Sequence, residues 1–406
     1  MRERDPAFEQ ALSHELGLPP TVSALLRNRG IANVEQARAF LNPTPAGMHD
    51  PFLLPDMLAA VERVELAIER GEEVLIHGDY DADGVTSTAL LVRALSKLGL
   101  DVHYFIPHRF HDHYGVSQRA VTMATKKKLG LLISVDCGVS DHDMIAEARA
   151  GGTDVIVIDH HQPTMASIES VGVAPFATGP ADPLPGKSAG PVANGATPTD
   201  SGIRENDLPE GALIINPKRA DAIYPFRELS AVGLAYKFIV ALSSRRGVPE
   251  EAVARAFLDL VAVGTIADVA PLVDENRAFC AAGLRLLPTT RKAGLQALLN
   301  ISQVSGTLSA MDVAFRLAPR LNAVGRMGDA TEALELLLAD DENEALRLAL
   351  KLEGYNRQRQ VEQERIYQQA RVQADELLAE RDYPVLVLSN TDWHLGVVGI
   401  VASKIL

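Results

Sequence analysis

Five short apolar runs separated by helical stretches constrain this chain more than any other feature. They are VLIHG at 74–78, VHYFI at 102–106, LLISV at 131–135, VIVID at 155–159 and ALIIN at 212–216. Runs of this length, rich in Val, Ile and Leu, fit buried strands. The stretches at 85–98, 117–128 and 140–150 carry apolar residues at helical spacing. The order β-α-β-α-β predicts an α/β fold whose parallel sheet is covered by helices on both faces.

The rest of the chain follows a different rhythm. Residues 1–70 read as a helical lead-in, with Leu25, Leu26, Ala37, Phe40 and Leu41 forming an interrupted apolar stripe. Residues 71–340 are expected to form the main unit. Within it, 162–210 is dominated by Pro, Gly, Ala, Ser and Thr and reads as a flexible insertion. Helices are expected at 229–245, 249–268, 276–286, 292–300 and 329–339. Residues 341–380 hold one Gly and no Pro, enough for a helix of about 60 Å. That length fits a connecting helix over 341–382, ended near Pro384, with a coiled-coil dimer as the rival reading. VLVLS at 385–389 reads as a new strand and the residues after it as a new helix, so 383–406 is expected to be the start of a further α/β unit, cut short.

Ligands of open parallel sheets bind beyond the carboxyl ends of the strands, and those positions here are strongly biased. The first strand leads into His77, Asp79, Asp81 and Asp83. The third ends at Asp136, the fourth at Asp159, His160 and His161, and the fifth leads through Asn216 to Asp221. So many carboxylates on one edge would repel one another unless cations sat among them. Oxygen donors with a minority of imidazole and no thiolate suit Mn²⁺, with Mg²⁺ as the alternative, and the number of ligands suits two ions. Against this, Asp81 and Asp83 would also serve to cap the following helix, and Asp159 to end a strand. The loop lacks the Gly-x-x-x-x-Gly-Lys pattern of a nucleotide-cradling loop.

The segments HGDYDADGVTSTALL, SVDCGVSD, VIVIDHHQP and NPKRADAIYPFRELSAVGLAYKF resemble successive motifs of the DHH phosphoesterase superfamily. With VAVGTIADVAPL at 261–272, FRLAPRLNAVGRMGDA at 315–330 and WHLGVVGIVASKIL at 393–406, the resemblance narrows to RecJ-type single-strand-specific 5′ exonucleases. It implies a DHH catalytic domain at 71–340 and the start of a DHH-associated domain at 383–406. It implies that Asp81, with Asp79 and His77, serves one Mn²⁺, that Asp136 bridges two ions, and that Asp83, His160 and Asp221 complete the second. His161 would contact the scissile phosphate and Asp159 would orient the imidazoles. The implied reaction is 5′-to-3′ hydrolysis of single-stranded DNA to 5′-mononucleotides in repair and recombination, by a hydroxide held between two metals.

Further residues are weighed for substrate binding. Arg109 and Tyr114 fall in a His-rich stretch at 103–115, where a phosphate contact and a stacked base compete with a packed loop. Arg316, Arg320 and Arg326 lie in 313–328, which holds no acid. There Asn322 and Arg326 match the family motif, and a structural arginine network is the alternative. Lys218 and Arg219 adjoin Asp221, and His394 opens the last motif.

With 39 Lys and Arg against 53 Asp and Glu, the chain as a whole repels polyanions, so DNA must be met by local charge or by metal. Two cysteines, a charged N-terminus and the lack of any run near ~18 apolar residues point to a cytoplasmic protein, at the nucleoid, with no membrane contact. A monomer is expected. Single-stranded-DNA-binding protein and a helicase are implied as partners by the resemblance alone. The rival functions are a DHH phosphoesterase acting on oligonucleotides, cyclic dinucleotides or pyrophosphate, and a non-catalytic DNA-binding replication factor.

Overall fold

The computed structural model describes residues 5–45, 48–112, 114–163, 208–381 and 383–405. The insertion expected at 162–210 lies almost wholly outside the described residues. Three short helices open the chain: α1 (Pro6–Leu16), α2 (Pro20–Asn28) and α3 (Val34–Leu41). They bury Leu12, Leu26 and Ala37 in a small cluster of their own. The fourth helix, α4 (Met57–Arg70), departs from the expected lead-in, because Met57, Ala60, Val61, Val64 and Ala67 all pack into the main core.

The alternating region then follows as β1 (Glu73–His77), α5 (Ala82–Lys97), β2 (Asp101–Phe105), α6 (Gln118–Lys127), β3 (Leu131–Val135), α7 (His142–Ala150), β4 (Asp154–Ile158) and β5 (Leu213–Ile215). All pairings are parallel, in the order β2-β1-β3-β4-β5. Side chains alternate across the sheet with period two. Ile76, Ile133, Ile156 and Ile158 face α4, α5 and the later helices. Leu75, Leu132, Val155 and Val157 face α6 and α7. The sheet is therefore the predicted doubly covered layer. The chain steps from β1 to β2 on one side and returns to β3 on the other, so the switch point lies between β1 and β3, where a crevice opens.

Downstream, α8 (Ala231–Arg245), α9 (Glu250–Ala267), α10 (Asp274–Leu286) and α11 (Ala293–Ile301) complete the core. A three-residue helical turn, α12 (Ala310–Asp312), runs through a π-helical turn over Val313–Leu317 into α13 (Ala318–Met327), followed by α14 (Thr331–Leu338). The long helix α15 (Glu342–Glu380) spans 39 residues, about 58 Å. Its first half buries Ala345, Leu348, Ala349 and Leu352 in the main core, and its second half packs Ile366 and Ala370 against Val397 and Val401 of α16 (Leu395–Ile405). The segment 385–389 is not a strand. No described strand pairs with it, and Val385 and Val387 are 72% and 84% exposed; without a partner its backbone has no ladder to join.

Candidate metal centre

The loop after β1 is shaped by its glycines and caps. A Cβ on Gly84 would sit 2.6–2.7 Å from backbone atoms of Asp79, so only glycine lets the loop fold back over the start of α5. Asp81 caps that helix, its Oδ1 accepting from the amides of Asp83 (2.9 Å) and Gly84 (3.1 Å). Asp83 is buried and accepts from the amides of Ala231 (2.8 Å) and Val232 (3.0 Å), at the N-terminus of α8. The capping reading thus holds for Asp81, but it engages only one of its two oxygens.

After β3, Asp136 is held in the left-handed region at φ 66°, a conformation costly for a residue with a Cβ and characteristic of functional positions. After β4, Asp159 accepts from the amides of Val139 and His161 (both 3.1 Å) and from Nδ1 of His161 (2.7 Å). Burial pushes the Asp159 carboxyl up, yet His161 and these amides outweigh it and hold the group below its ordinary value. His161 in turn is raised by its bond to Asp159. The Tyr114 hydroxyl lies 3.1 Å from His161 Nδ1 and donates to the Asp136 carbonyl at 3.3 Å.

These motifs converge into three overlapping groups, each with ligand atoms within 4.8 Å of one another: Asp79, Asp81 and Asp136; Asp136, His160 and His161; Asp83, His160 and Asp268. Asp136 and His160 each belong to two groups. Burial, reinforced by Asp81, pushes the Asp79 carboxyl up to about 8. Asp136 is raised well above its ordinary value by burial and then by Asp81, Asp83 and Asp79, and Asp83 by burial, Asp268 and Asp81. Burial and neighbouring His161 lower His160 to about 4. Asp79 Oδ1 and His160 Nε2 are buried without a hydrogen-bond partner. Unpartnered donor atoms facing a shared space, in a set of carboxylates and imidazoles without thiolate, fit hard divalent cations.

A model of the DHH family, N-terminal domain, matches residues 73–178. The single-stranded-DNA-specific exonuclease RecJ of Bacillus subtilis is 36% identical over 399 residues, covering 98% of this chain and 44% of the relative. Among solved structures, RecJ of Thermus thermophilus in complex with Mn²⁺ is similar at a TM-score of 0.76 and 32% identity, covering 100% of this chain and 51% of the other. A structure of exonuclease RecJ bound to manganese matches at a TM-score of 0.67 and 36% identity, covering 87% of this chain and 77% of the other. The chain belongs to the RecJ family. It spans about half the length of the first two of these relatives.

Two residues expected to bind metal in this RecJ-family chain do not join the groups. Asp221 is 57% exposed and held by Arg219 through two bonds of 2.9 and 2.7 Å, which lower its carboxyl. The acid grouped with Asp83 and His160 is instead Asp268, the C-terminal cap of α9, raised to about 6 by burial and then Asp81. Sequence reasoning passed over Asp268, although it closes the uncharged stretch 260–267 inside a quoted motif. His77 is fully buried beneath the site. Its Nε2 accepts from the Ser117 amide (3.1 Å), its Nδ1 lies 3.5 Å from the Cys137 thiol, and its ring stacks on Phe105. Both ring nitrogens are engaged, so His77 braces the loop instead.

The expected substrate contacts also divide. Arg219, expected to bind substrate, is buried and bonds Asp56, the Ile214 carbonyl and Asp221, which leaves its guanidinium engaged within the chain. Arg316 pairs with Asp312 (3.8 Å) and the Gln303 carbonyl (3.4 Å), neither part of the site, and Arg320 pairs with Glu353 (2.7 Å). Lys218 remains close enough to lower His160 and Asp268. Arg109 lies 4.0 Å over the Tyr80 ring and bonds the Gly325 carbonyl at 3.0 Å. Asn322 accepts from the Ala82 amide at 2.8 Å, joining α13 to the metal loop. Arg326 donates to the Gly396 carbonyl (3.0 Å), whose amide bonds His394 Nδ1 (3.1 Å). The Arg326 guanidinium is lowered by burial and by Arg109 and Arg359. None of these three arginines has a carboxylate partner among the described residues. Arg359, on α15, carried no motif that would have singled it out. The packing here is backbone on backbone: a Cβ on Gly325 would lie 2.5 Å from the Tyr80 carbonyl, and one on Gly396 2.6 Å from the Arg326 carbonyl.

Proposed function

We propose that the chain carries the catalytic centre of a single-stranded-DNA exonuclease that works 5′ to 3′ and releases 5′-mononucleotides. The observation that carries the reading is the juxtaposition of acidic groups sharing Asp136 and His160 with guanidiniums that have no carboxylate partner among the described residues. The first repels a phosphodiester unless cations are present, and the second attracts one.

Asp79, Asp81 and Asp136 would hold one divalent ion, and Asp136, His160, Asp83 and Asp268 a second, with His161 able to join either Asp136 or the substrate. Mn²⁺ or Mg²⁺ bound there supplies water of lowered pKa and neutralises charge on the phosphorus. The chain's own groups do the rest. Asp159 fixes the His161 ring and favours its protonated form, so that its free nitrogen donates to a phosphate oxygen. Tyr114 braces that ring. Arg109 and Arg326 neutralise the neighbouring phosphates, and Lys218, 3.9 Å from Glu228, lends charge beside His160 and Asp268. The catalytic unit is taken as 71–340, joined by the helix over 341–382 to a further unit beginning at 383. Action as a monomer in the cytoplasm at the nucleoid, in repair and recombination beside a helicase and single-stranded-DNA-binding protein, belongs to the same reading.

The test compares single strands labelled at the 5′ or the 3′ end, in Mn²⁺, with Asp136→Ala as control. Early release of the 5′ label as a mononucleotide, absent in the variant, is expected. Release of the 3′ label first, or turnover of dinucleotides only, would overturn the reading.

A further inference from the structure

A cavity of about 1060 Å³ lies between the C-terminal end of α5, the first half of α9, the turn at 287–292 that starts α11, and the end of α14. Lys97 is about 21 Å along α5 from Asp83, so this cavity stands at the far end of the helix that the metal centre caps. Its volume is that of a small-molecule pocket.

The lining is cationic in a chain whose net charge is −14. Arg93, Lys97, Arg255, Arg291 and Lys292 contribute to it, against Asp259 and Asp340. Both acids are already engaged, Asp340 by Arg93 at 3.0 Å and Asp259 by Lys292 at 2.8 Å. Lys97, Arg255 and Arg291 have no carboxylate partner among the described residues. Lys292 stands in this lining too, its ammonium lowered by burial and, against the pull of Asp259, by Arg93 and Lys97. The remaining wall is apolar, with Val92, Phe257, Leu286 and Leu338.

We propose that this cavity binds a nucleoside polyphosphate. Three unmatched cations exceed the roughly −2 charge of a single phosphate monoester, so the ligand carries more than one phosphate. The apolar wall accepts a base, which inorganic polyphosphate lacks. No glycine loop of the nucleotide-cradling type lines the cavity, so the ligand is held by side chains. The inference does not depend on the nuclease reading, because it uses none of the residues of the metal centre.

The experiment is isothermal titration of the protein in EDTA with ATP, ADP, AMP and inorganic phosphate. EDTA removes metal-bridged binding at the acidic cluster, and the charge-reversal variants separate binding in the cavity from binding to the unpaired arginines near that cluster. ATP and ADP are expected to bind at least tenfold more tightly than AMP or phosphate, with affinity falling as salt rises. The double variant Arg255→Glu, Arg291→Glu, both at exposed positions, should lower ATP affinity tenfold or more while leaving the melting temperature and basal Mn²⁺-dependent turnover unchanged. Lys97→Glu provides a second, independent reversal. Absence of binding, equal affinity for inorganic phosphate, or unchanged ATP affinity in both variants would overturn the proposal.

Discussion

The Nε2 atom of His160 lies 3.2 Å from Oδ1 of Asp136, yet the two make no hydrogen bond. With His160 lowered to about 4, the imidazole is neutral at physiological pH, and two lone-pair donors then face the same space. Proteins leave buried polar atoms unpaired at few positions, and functional sites are prominent among them. This pair stands where the overlapping groups of acids and imidazoles meet.

Replacing Asp136 by Asn removes one of several mutually repelling carboxylates. In EDTA the variant should melt about 2 °C or more above the parent, since ~1 kcal/mol moves a domain of 150–250 residues by about 2–4 °C. Mn²⁺ at one hundred times its dissociation constant stabilises a binding-competent fold by about 2.7 kcal/mol; the variant should lose most of that gain. Thermal melts with and without metal read both effects, and equal Mn²⁺ stabilisation of the two proteins would remove Asp136 from the centre.

Stability in EDTA should fall as pH rises from about 6.5 to 8. Asp79 titrates at about 8 in the folded chain, above its unfolded value, so the folded state binds more protons across this window and loses that advantage as pH passes through 8. His77 and His160, lowered to about 4, contribute in the opposite sense only below about 6.5, the ordinary His value. Denaturant melts at half-unit intervals check the slope. Saturating Mn²⁺ should flatten it, and a rise in stability across 6.5–8 in EDTA would contradict the assignment.

Asp268 and Asp221 should respond in opposite ways. Asp268→Asn is expected to weaken Mn²⁺ binding and cut turnover by a hundredfold or more, about 2.7 kcal/mol of barrier. Asp221→Asn removes an exposed partner of Arg219, which keeps Asp56 and the Ile214 carbonyl, so it should cost ~1 kcal/mol at most and leave metal affinity unchanged. Metal titration of both variants separates them.

Asn322→Ala strips the Ala82 amide of its acceptor, and a buried donor left unpaired costs about 1–3 kcal/mol. Turnover should fall with it, because that amide opens the helix capped by Asp81. Asn322→Asp keeps an acceptor oxygen and should recover most of both losses. Melting temperature and turnover measured on the same samples decide it.

The sheet was legible because β1, β3 and β4 are buried on both faces and read as nearly unbroken apolar runs, while the edge strand β2 still carries β-branched and aromatic residues. The carboxylates and imidazoles follow those runs directly, so Asp79, Asp81, Asp83, Asp136, His160 and His161 were readable from position alone. Asp268 was not, since it arrives from a helix end more than a hundred residues beyond the last of them. Asp221 looked like a ligand because sequence shows an acid after a strand and an arginine two residues earlier, but not that the two pair with each other. His77 illustrates a different limit: it ends a strand on the side that faces inward, and spacing does not reveal which nitrogen is already occupied. The segment at 385–389 has the composition of a strand, but a strand is defined by its neighbour.

Gly325 against Tyr80 and Gly396 against Arg326 leave no cushion of side chains between the metal loop, α13 and the start of α16. Methylene groups elsewhere in the molecule absorb small displacements by changing rotamer; here main chain bears on main chain. Neither boundary accepts so much as a methyl group: Gly325→Ala or Gly396→Ala must displace the Tyr80 or the Arg326 carbonyl, and with it the approach of α13 to the metal loop or of α16 to α13.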